Sequence, residues 1–199
     1  MSNLETLEKF KPTINPLTSF AWFPPKVHFA TQDSEEKVVL LLRRHWVTNL
    51  GWVIISIFLF FVPFILASLK GLAFPEDITN SITPTVSFLL YSVWYLLIFG
   101  YIFSNFISWY YSVNMITTKR LLDVDFHSIL YKNVSEAELT KVQDITHQTV
   151  GTLALLFNFG LIRVQTAAEF SDLEFEAVPD PAEVHKIIGK LLEDIRENR

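Results

Sequence analysis

From Leu50 to Leu69 the chain reads LGWVIISIFLFFVPFILASL, twenty residues without one charge. At 1.5 Å per residue a helix of this length covers about 30 Å, the thickness of a bilayer's hydrocarbon core. A second uncharged run extends from Ile78 to Thr118, forty-one residues between Asp77 and Lys119. Only about half of such a run is needed to span. The helix is therefore predicted at about Val86–Ser108, after Pro84, with Trp109, Tyr110 and Tyr111 at the interface where amphipathic rings settle. Trp46 and Trp52 take that part for the first helix. Pro63 is predicted to kink the first helix rather than end it, because lipid leaves few alternatives to helical hydrogen bonding. A signal peptide would carry its apolar stretch near the start, and here 49 residues precede it. Two uncharged runs of this length also exceed what a buried soluble pair calls for. A two-helix transmembrane hairpin is the expectation, with spans at about 50–69 and 86–108.

Positive charge orients the hairpin. Arg43 and Arg44 flank the first span, with His45 beside them, and Lys119 and Arg120 follow the second. The connecting stretch Lys70–Thr85 offers one Lys against Glu76 and Asp77. Four cations against one place both termini in the cytoplasm by the positive-inside rule, and assign Arg43, Arg44, Lys119 and Arg120 to headgroup contact. The expected location is the cell membrane. Gly100, Ser104 and Ser108 recur every four residues on the second helix, the spacing that lets another helix approach closely. Asn105 lies beside this stripe, placed to hydrogen-bond across it. The stripe serves either packing against the first helix of the same chain or a seam between copies.

The chain divides into an N-terminal segment over 1–45, the hairpin over 46–111 and a C-terminal domain over 112–199. Its net charge of −5 sits wholly in the last part, where nine Lys and Arg face fourteen Asp and Glu. An acidic domain lacks the basic footprint that nucleic acid or anionic lipid requires, so nucleic acid is not an expected partner. The absence of cysteine excludes disulfides, thiolate metal sites and Cys nucleophiles.

After Tyr111 short alternating runs broken by turn residues predict strands at Tyr111–Thr117, Leu121–Phe126, Val134–Leu139, Val142–Gln148, Leu161–Ala167 and Asp172–Ala177. In the last, Leu173, Phe175 and Ala177 share one face, and Asp172, Glu174 and Glu176 the other. Between the fourth and fifth lies VGTLALLFNFG, where Thr152 can cap a helical turn that Asn158 or Gly160 ends. Leu155, Leu156, Phe157 and Phe159 either plug one end of the sheet or form a patch for the membrane or a partner. Asp180 as N-cap, Pro181 and Glu183 then open a helix whose Val184, Ile187, Ile188, Leu191, Leu192 and Ile195 form one apolar stripe.

The order of a strand, ITTKRLLDVD, an acidic strand leading to ELTKVQDIT, GTLALLFNFGLIRVQTAAEF and FEAVPDPAEVHKII resembles the bacterial pleckstrin-homology-like domain of YdbS-type membrane proteins. The resemblance covers about residues 109–190 and implies a bent antiparallel sandwich or half-barrel closed by a C-terminal helix. A seventh strand is expected near Tyr131 or in Ile129–Asn133. It carries no catalytic residues over to this chain. The fold class expected is thus a transmembrane hairpin plus a mainly-β, α+β domain of pleckstrin-homology (PH) type.

No constellation predicts catalysis, a cofactor or a metal. Asp123, Asp125 and His127 alternate on one strand face, which reads as a solvated face, since a metal would require further ligands in tight geometry. The five histidines, His28, His45, His127, His147 and His185, show no ligand spacing. Neither span holds an ionisable residue, against a transporter or intramembrane enzyme. In the N-terminal segment Pro12, Pro16, Pro24 and Pro25 predict an irregular lead-in with Trp22 and Phe23 as docking residues, and Val27–Thr31 a further strand. Asp33 or Ser34 followed by EEKVVLLLRRHW predicts a capped helix running to the membrane. Whether this segment folds with the C-terminal domain is left open. The functional expectation is a non-enzymatic, membrane-anchored adaptor that offers its PH-like domain to a protein partner or to its own copies. Its rivals are a lipid sensor acting through Lys119 and Arg120, and a small transporter or channel subunit.

Overall fold

The computed structural model describes residues 11–13, 15, 17–25, 27, 29, 32–69, 83–128, 131–167 and 172–197. The connecting stretch with Lys70, Glu76 and Asp77 lies outside the described residues, as do Pro16, His28 and part of the strand expected at Val27–Thr31. The chain forms two compact units, one running up to Thr48 and resuming at Ser108, the other spanning Asn49–Ile107.

The second unit holds helix α1 (Leu50–Ser68) and most of α2 (Pro84–Tyr111). Both are long and apolar enough to cross a membrane, with mean hydropathy 2.6 over Trp46–Ser68 and 1.9 for α2. Their large side chains face outward: Ile54, Phe58, Phe88, Leu96 and Leu97 are all at least 63% exposed. Several polar groups turn onto backbone carbonyls instead. Pro63 sits inside α1 and has no N–H to give the carbonyl of Leu59 one turn earlier. The indole Nε1 of Trp94 on α2 donates to that carbonyl at 3.1 Å. Ser56, Ser68 and Ser92 each donate to the carbonyl four residues back, so these hydroxyls are satisfied within their own helices.

The first unit is an antiparallel β domain. One sheet runs in the order β1 (Phe20–Trp22), β2 (Val38–Arg43), β3 (Val113–Thr117), β4 (Arg120–Ser128), β5 (Tyr131–Glu138). The second sheet is β6 (Val142–Gln148), β7 (Phe159–Thr166), β8 (Leu173–Pro179). A single turn of 3-10 helix, Leu139–Lys141, connects the two. Leu40, Leu42, Ile116 and Leu121 from the first sheet share one core with Ile162, Val164 and Phe175 from the second. Of the two shapes expected, the arrangement is a sandwich.

Helix α4 (Pro181–Glu197) closes it as its capping residues predict. Glu183 N–H donates to Asp180 Oδ1 at 3.4 Å, and Val184, Ile187, Ile188 and Leu191 are buried. Burying that stripe contributes on the order of 10 kcal/mol before entropy.

Three expectations are corrected. The helix predicted from Asp33 or Ser34 through EEKVVLLLRRHW is instead strand β2, paired antiparallel with β3 from Leu40↔Ile116 to Arg43↔Val113. Its five consecutive buried residues, Val38–Leu42, reflect cover on both faces. Leu41 joins Ala21, Met115, Leu122 and Val124 in a second cluster on the outer face, against Val27 and Phe29. The N-terminal segment therefore folds with the C-terminal residues, and both helices are inserted between two neighbouring strands. The seventh strand sought near Tyr131 is the start of β5; the additional strands are β1 and β2. Finally, Ala177 does not keep the inward alternation of Leu173 and Phe175. It has φ +50° at a register shift between β7 and β8, so Val178 turns inward in its place.

Candidate functional site

Three surfaces of the β domain and one stripe on α2 carry the residues that the sequence singled out, and they differ in how far their chemistry is already spent.

The first is the turn from β3 to β4, which presents Lys119 and Arg120. Here the N-terminal segment returns as an acidic clasp. Asp33 Oδ2 stands 3.0 Å from Lys119 Nζ, and buried Glu36 stands 3.2 Å from Arg120 Nε. Glu136 takes a further guanidinium nitrogen at 3.3 Å. Thr117, fully buried, donates its hydroxyl to Glu36 and accepts the backbone N–H of Arg120 at 2.9 Å. The Lys119 hydrogen bond and charge hold the Asp33 carboxyl below its ordinary range. A cleft of about 620 Å³ opens beside this network, lined by Lys119, Arg120 and Lys141 but equally by Asp33, Glu136 and Glu138. Three cations balanced by three acids offer no net field to an anionic headgroup.

The second surface surrounds Arg43 and Arg44. Arg43 donates to the carbonyls of Tyr110 and Thr18 at 3.0 and 3.2 Å and lies 4.7 Å over the Tyr110 ring; burial pulls its guanidinium below the ordinary value, opposed by Tyr110. Arg44 pairs with Asp125 at 3.2 Å and Glu176 at 2.9 Å, and its carbonyl accepts the Trp109 indole N–H at 2.9 Å. The four cations assigned to headgroups are thus all engaged by protein acceptors in the fold. Asp123, on the same face as Asp125, is not on a solvated face as its alternation suggested. Burial pushes its carboxyl up to about 7, Asp125 and Glu176 adding to the effect and Arg44 opposing it. Among the described residues no three His, Asp or Glu converge in a way that could hold a metal; the side chain of His127 lies outside the described residues.

The third surface is the connector between β6 and β7. Helix α3 (Thr152–Phe157) follows Gly151 at φ +102°, so Gly151, rather than Thr152, occupies the cap position, and Asn158 ends the helix in the left-handed region. Gly160 is required where it stands, since a Cβ there would overlap the carbonyl of Gln148. The apolar residues split into two sets. Phe157 and Phe159 turn inward: His45 stacks on Phe159 at 5.1 Å between ring centroids, and Phe157 meets Trp46 edge-on at 5.5 Å. Burial pushes the His45 imidazole below its ordinary pKa. Leu155 and Leu156 point outward at 69% and 75% exposure, joined by Val150 and Leu153. The stretch is half plug and half patch.

The fourth feature is the stripe on α2. The space beside Gly100 holds nothing within 4 Å of an added Cβ, so α1 does not fill it. Asn105 donates to the Tyr101 carbonyl of its own helix at 2.8 Å rather than across to another.

Sequence reasoning missed the acidic clasp. Asp33 and Glu36 lie more than eighty residues before their basic partners, and no local pattern joins them.

No protein-family model matches the chain, and no curated protein does. Among solved structures it is similar to a DUF1696 family protein with a pleckstrin-homology domain from Shewanella loihica PV-4, at 16% identity over 40% of this chain and 69% of that one. The TM-score is 0.32, and the architecture rests on the strand order and shared core described above.

Proposed function

We propose that this chain is a membrane-anchored module without catalytic activity, whose two helices cross the bilayer and hold a PH-like domain at the cytoplasmic face, where it binds a protein partner or another copy of itself. One observation carries the reading. Two uncharged helices expose nearly all their large side chains while directing their polar groups onto backbone carbonyls, the disposition that suits a hydrocarbon solvent and that water would penalise. Both termini lie in the cytoplasm on this reading, since the four cations at the β-domain ends of the helices outnumber Lys70; ion pairing in the folded state does not alter a rule that acts during insertion. The PH-like assignment is supported by the order of the sequence segments and by an antiparallel sandwich with a C-terminal helix.

The contact surface on this reading is the outward set of α3, Leu155 and Leu156, because it is apolar and unspent. The rival lipid sensor draws on Lys119 and Arg120, whose charge Asp33, Glu36 and Glu136 already offset. The rival channel subunit needs a polar lining, and Asn105 is committed to its own helix. Two fusions test the topology: a cytoplasm-active reporter after Arg199 gives signal, and a reporter active only outside the cell stays silent. In-cell crosslinking with mass spectrometry then compares the native chain with Leu155→Ser/Leu156→Ser. Loss of specific crosslinked species supports the surface, and an identical set removes it. Gly100→Leu/Ser104→Leu tests the alternative seam between copies: a crosslinked dimer that survives it does not use α2.

A further inference from the structure

Two histidines that the sequence separates by 38 positions meet in the fold. His147 lies on β6 and His185 on α4, and their Nδ1 atoms stand 3.1 Å apart, with ring centroids at 5.0 Å and planes at 82°. Both are solvent-accessible, and the position one turn after His185 is Gly189, whose Cβ direction is open for 4 Å.

We infer that His147 and His185 form a two-point binding site for a late first-row divalent cation such as Cu2+ or Zn2+, clamping the terminal helix to the second sheet. Neutral imidazole nitrogen is the ligand these ions prefer. With metal–nitrogen bonds of about 2.05 Å and an angle between about 90° and 109°, two ligand nitrogens stand about 2.9–3.3 Å apart. The same geometry puts ring centroids about 3.2 Å from the ion and about 4.5–5.2 Å from each other. Both observed separations fall inside these windows, and a single angle near 100° reproduces them together. One ligand comes from a strand and the other from a packed helix, so the chelate is preorganised by the core beneath it. No third His, Asp or Glu joins them among the described residues, which leaves the remaining coordination positions to water and makes the site one of moderate affinity with exchangeable positions. The competing role for the same contact is an Nδ1–H···Nδ1 hydrogen bond between neutral rings, with no affinity for metal.

The test uses the full-length protein in detergent, its affinity tag removed, titrated with Cu2+ and followed by electron paramagnetic resonance. One equivalent should bind with hyperfine structure from two imidazole nitrogens. His147→Gln and His185→Gln should each weaken binding roughly tenfold or more and leave a single-nitrogen signal. The double variant should show neither. In parallel, Zn2+ should raise the thermal midpoint of the native chain and leave that of the double variant unmoved, because binding to the folded state alone stabilises it. Circular dichroism verifies that the variants keep their helix content; the exposure of both rings makes folding tolerant of glutamine. Binding that persists in the double variant, a one-nitrogen signal in the native chain or no binding at all would each overturn the inference in favour of the hydrogen bond.

Discussion

The helical hairpin and the β domain use the same apolar residue types and dispose of them in opposite directions. In the β domain Val39, Leu40, Leu42 and Phe175 are fully buried, and most acids and bases take the outside, with Glu36 and Asp194 as buried exceptions. In the hairpin Phe58, Phe88 and Leu96 are outside, and Ser56, Pro63 and Trp94 face inward onto helix or backbone. Hydrophobicity alone does not say which way a side chain points; under the proposed topology the surrounding solvent does. The second difference concerns polar satisfaction. The β domain can leave a carboxyl half-buried in an awkward place, as at Asp123, because water is near. In the bilayer proposed for it the hairpin could not, and the carbonyl orphaned by Pro63 is met by a side chain from the other helix.

The contrast can be broken by experiment. The largest effect is expected from Phe175→Ala, which should cost about 3–5 kcal/mol in thermal unfolding in detergent by opening a cavity in a dry core. The same truncation at Phe58 should cost far less, and equal losses would contradict the inverted arrangement. Placing Arg at Phe58 or Leu96 should disfavour membrane integration by about 3–4 kcal/mol per site, read as the inserted fraction of a marginally apolar host segment. A native chain that stays in the aqueous fraction without detergent would remove the bilayer from the account.

Asp123 sharpens the comparison through pH. Its folded value near 7 lies well above the ~3.9 of an unfolded aspartate, so between these values the folded state holds a proton that the unfolded state has released. The contribution of Asp123 to stability is therefore greatest below about pH 4, falls as pH rises towards 7 and then levels. Asp123→Asn should flatten that slope and gain about 1–2 kcal/mol at pH 8, a figure reduced for the partial exposure of the site. A smaller effect is expected inside the hairpin. Trp94→Phe should cost about 1 kcal/mol, and much of that loss should vanish in a Pro63→Ala background, where the Leu59 carbonyl regains a backbone donor. Additive losses in that cycle would mean the indole contributes packing only.

Much of this fold was legible locally. Uncharged length marked both helices, period-two alternation marked six strands within a few residues, and Asp180, Pro181 and Glu183 marked the start of α4. The failures share one cause. Val38–Leu42 is a short apolar run covered on both faces, and such a run has no period with which to tell strand from helix. The acids before it imitated a helix start, while the deciding partner, β3, lay seventy residues downstream. Ala177 escaped for a related reason, since a bulge is set by the facing strand. The clasp of Asp33 and Glu36 on Lys119 and Arg120, and the pairing of His147 with His185, exist only once distant strands and a helix are assembled.

The insertion of both helices between β2 and β3 also sets a schedule for biogenesis. Residues 44–112 separate the paired Arg43 and Val113, which at about 5–20 residues per second is about 3–14 s of translation. Throughout that interval VVLLLR has only β1 to pair with and its other edge waits open, and under the proposed topology β3 emerges on the correct side only after the second helix has turned back. Under that topology a chain that threads one helix and not the other leaves the β3-facing edge of this ribbon bare, the kind of unpaired edge that chaperones meet. Under the proposed topology, correct threading and correct sheet assembly would thereby meet in the same pairing.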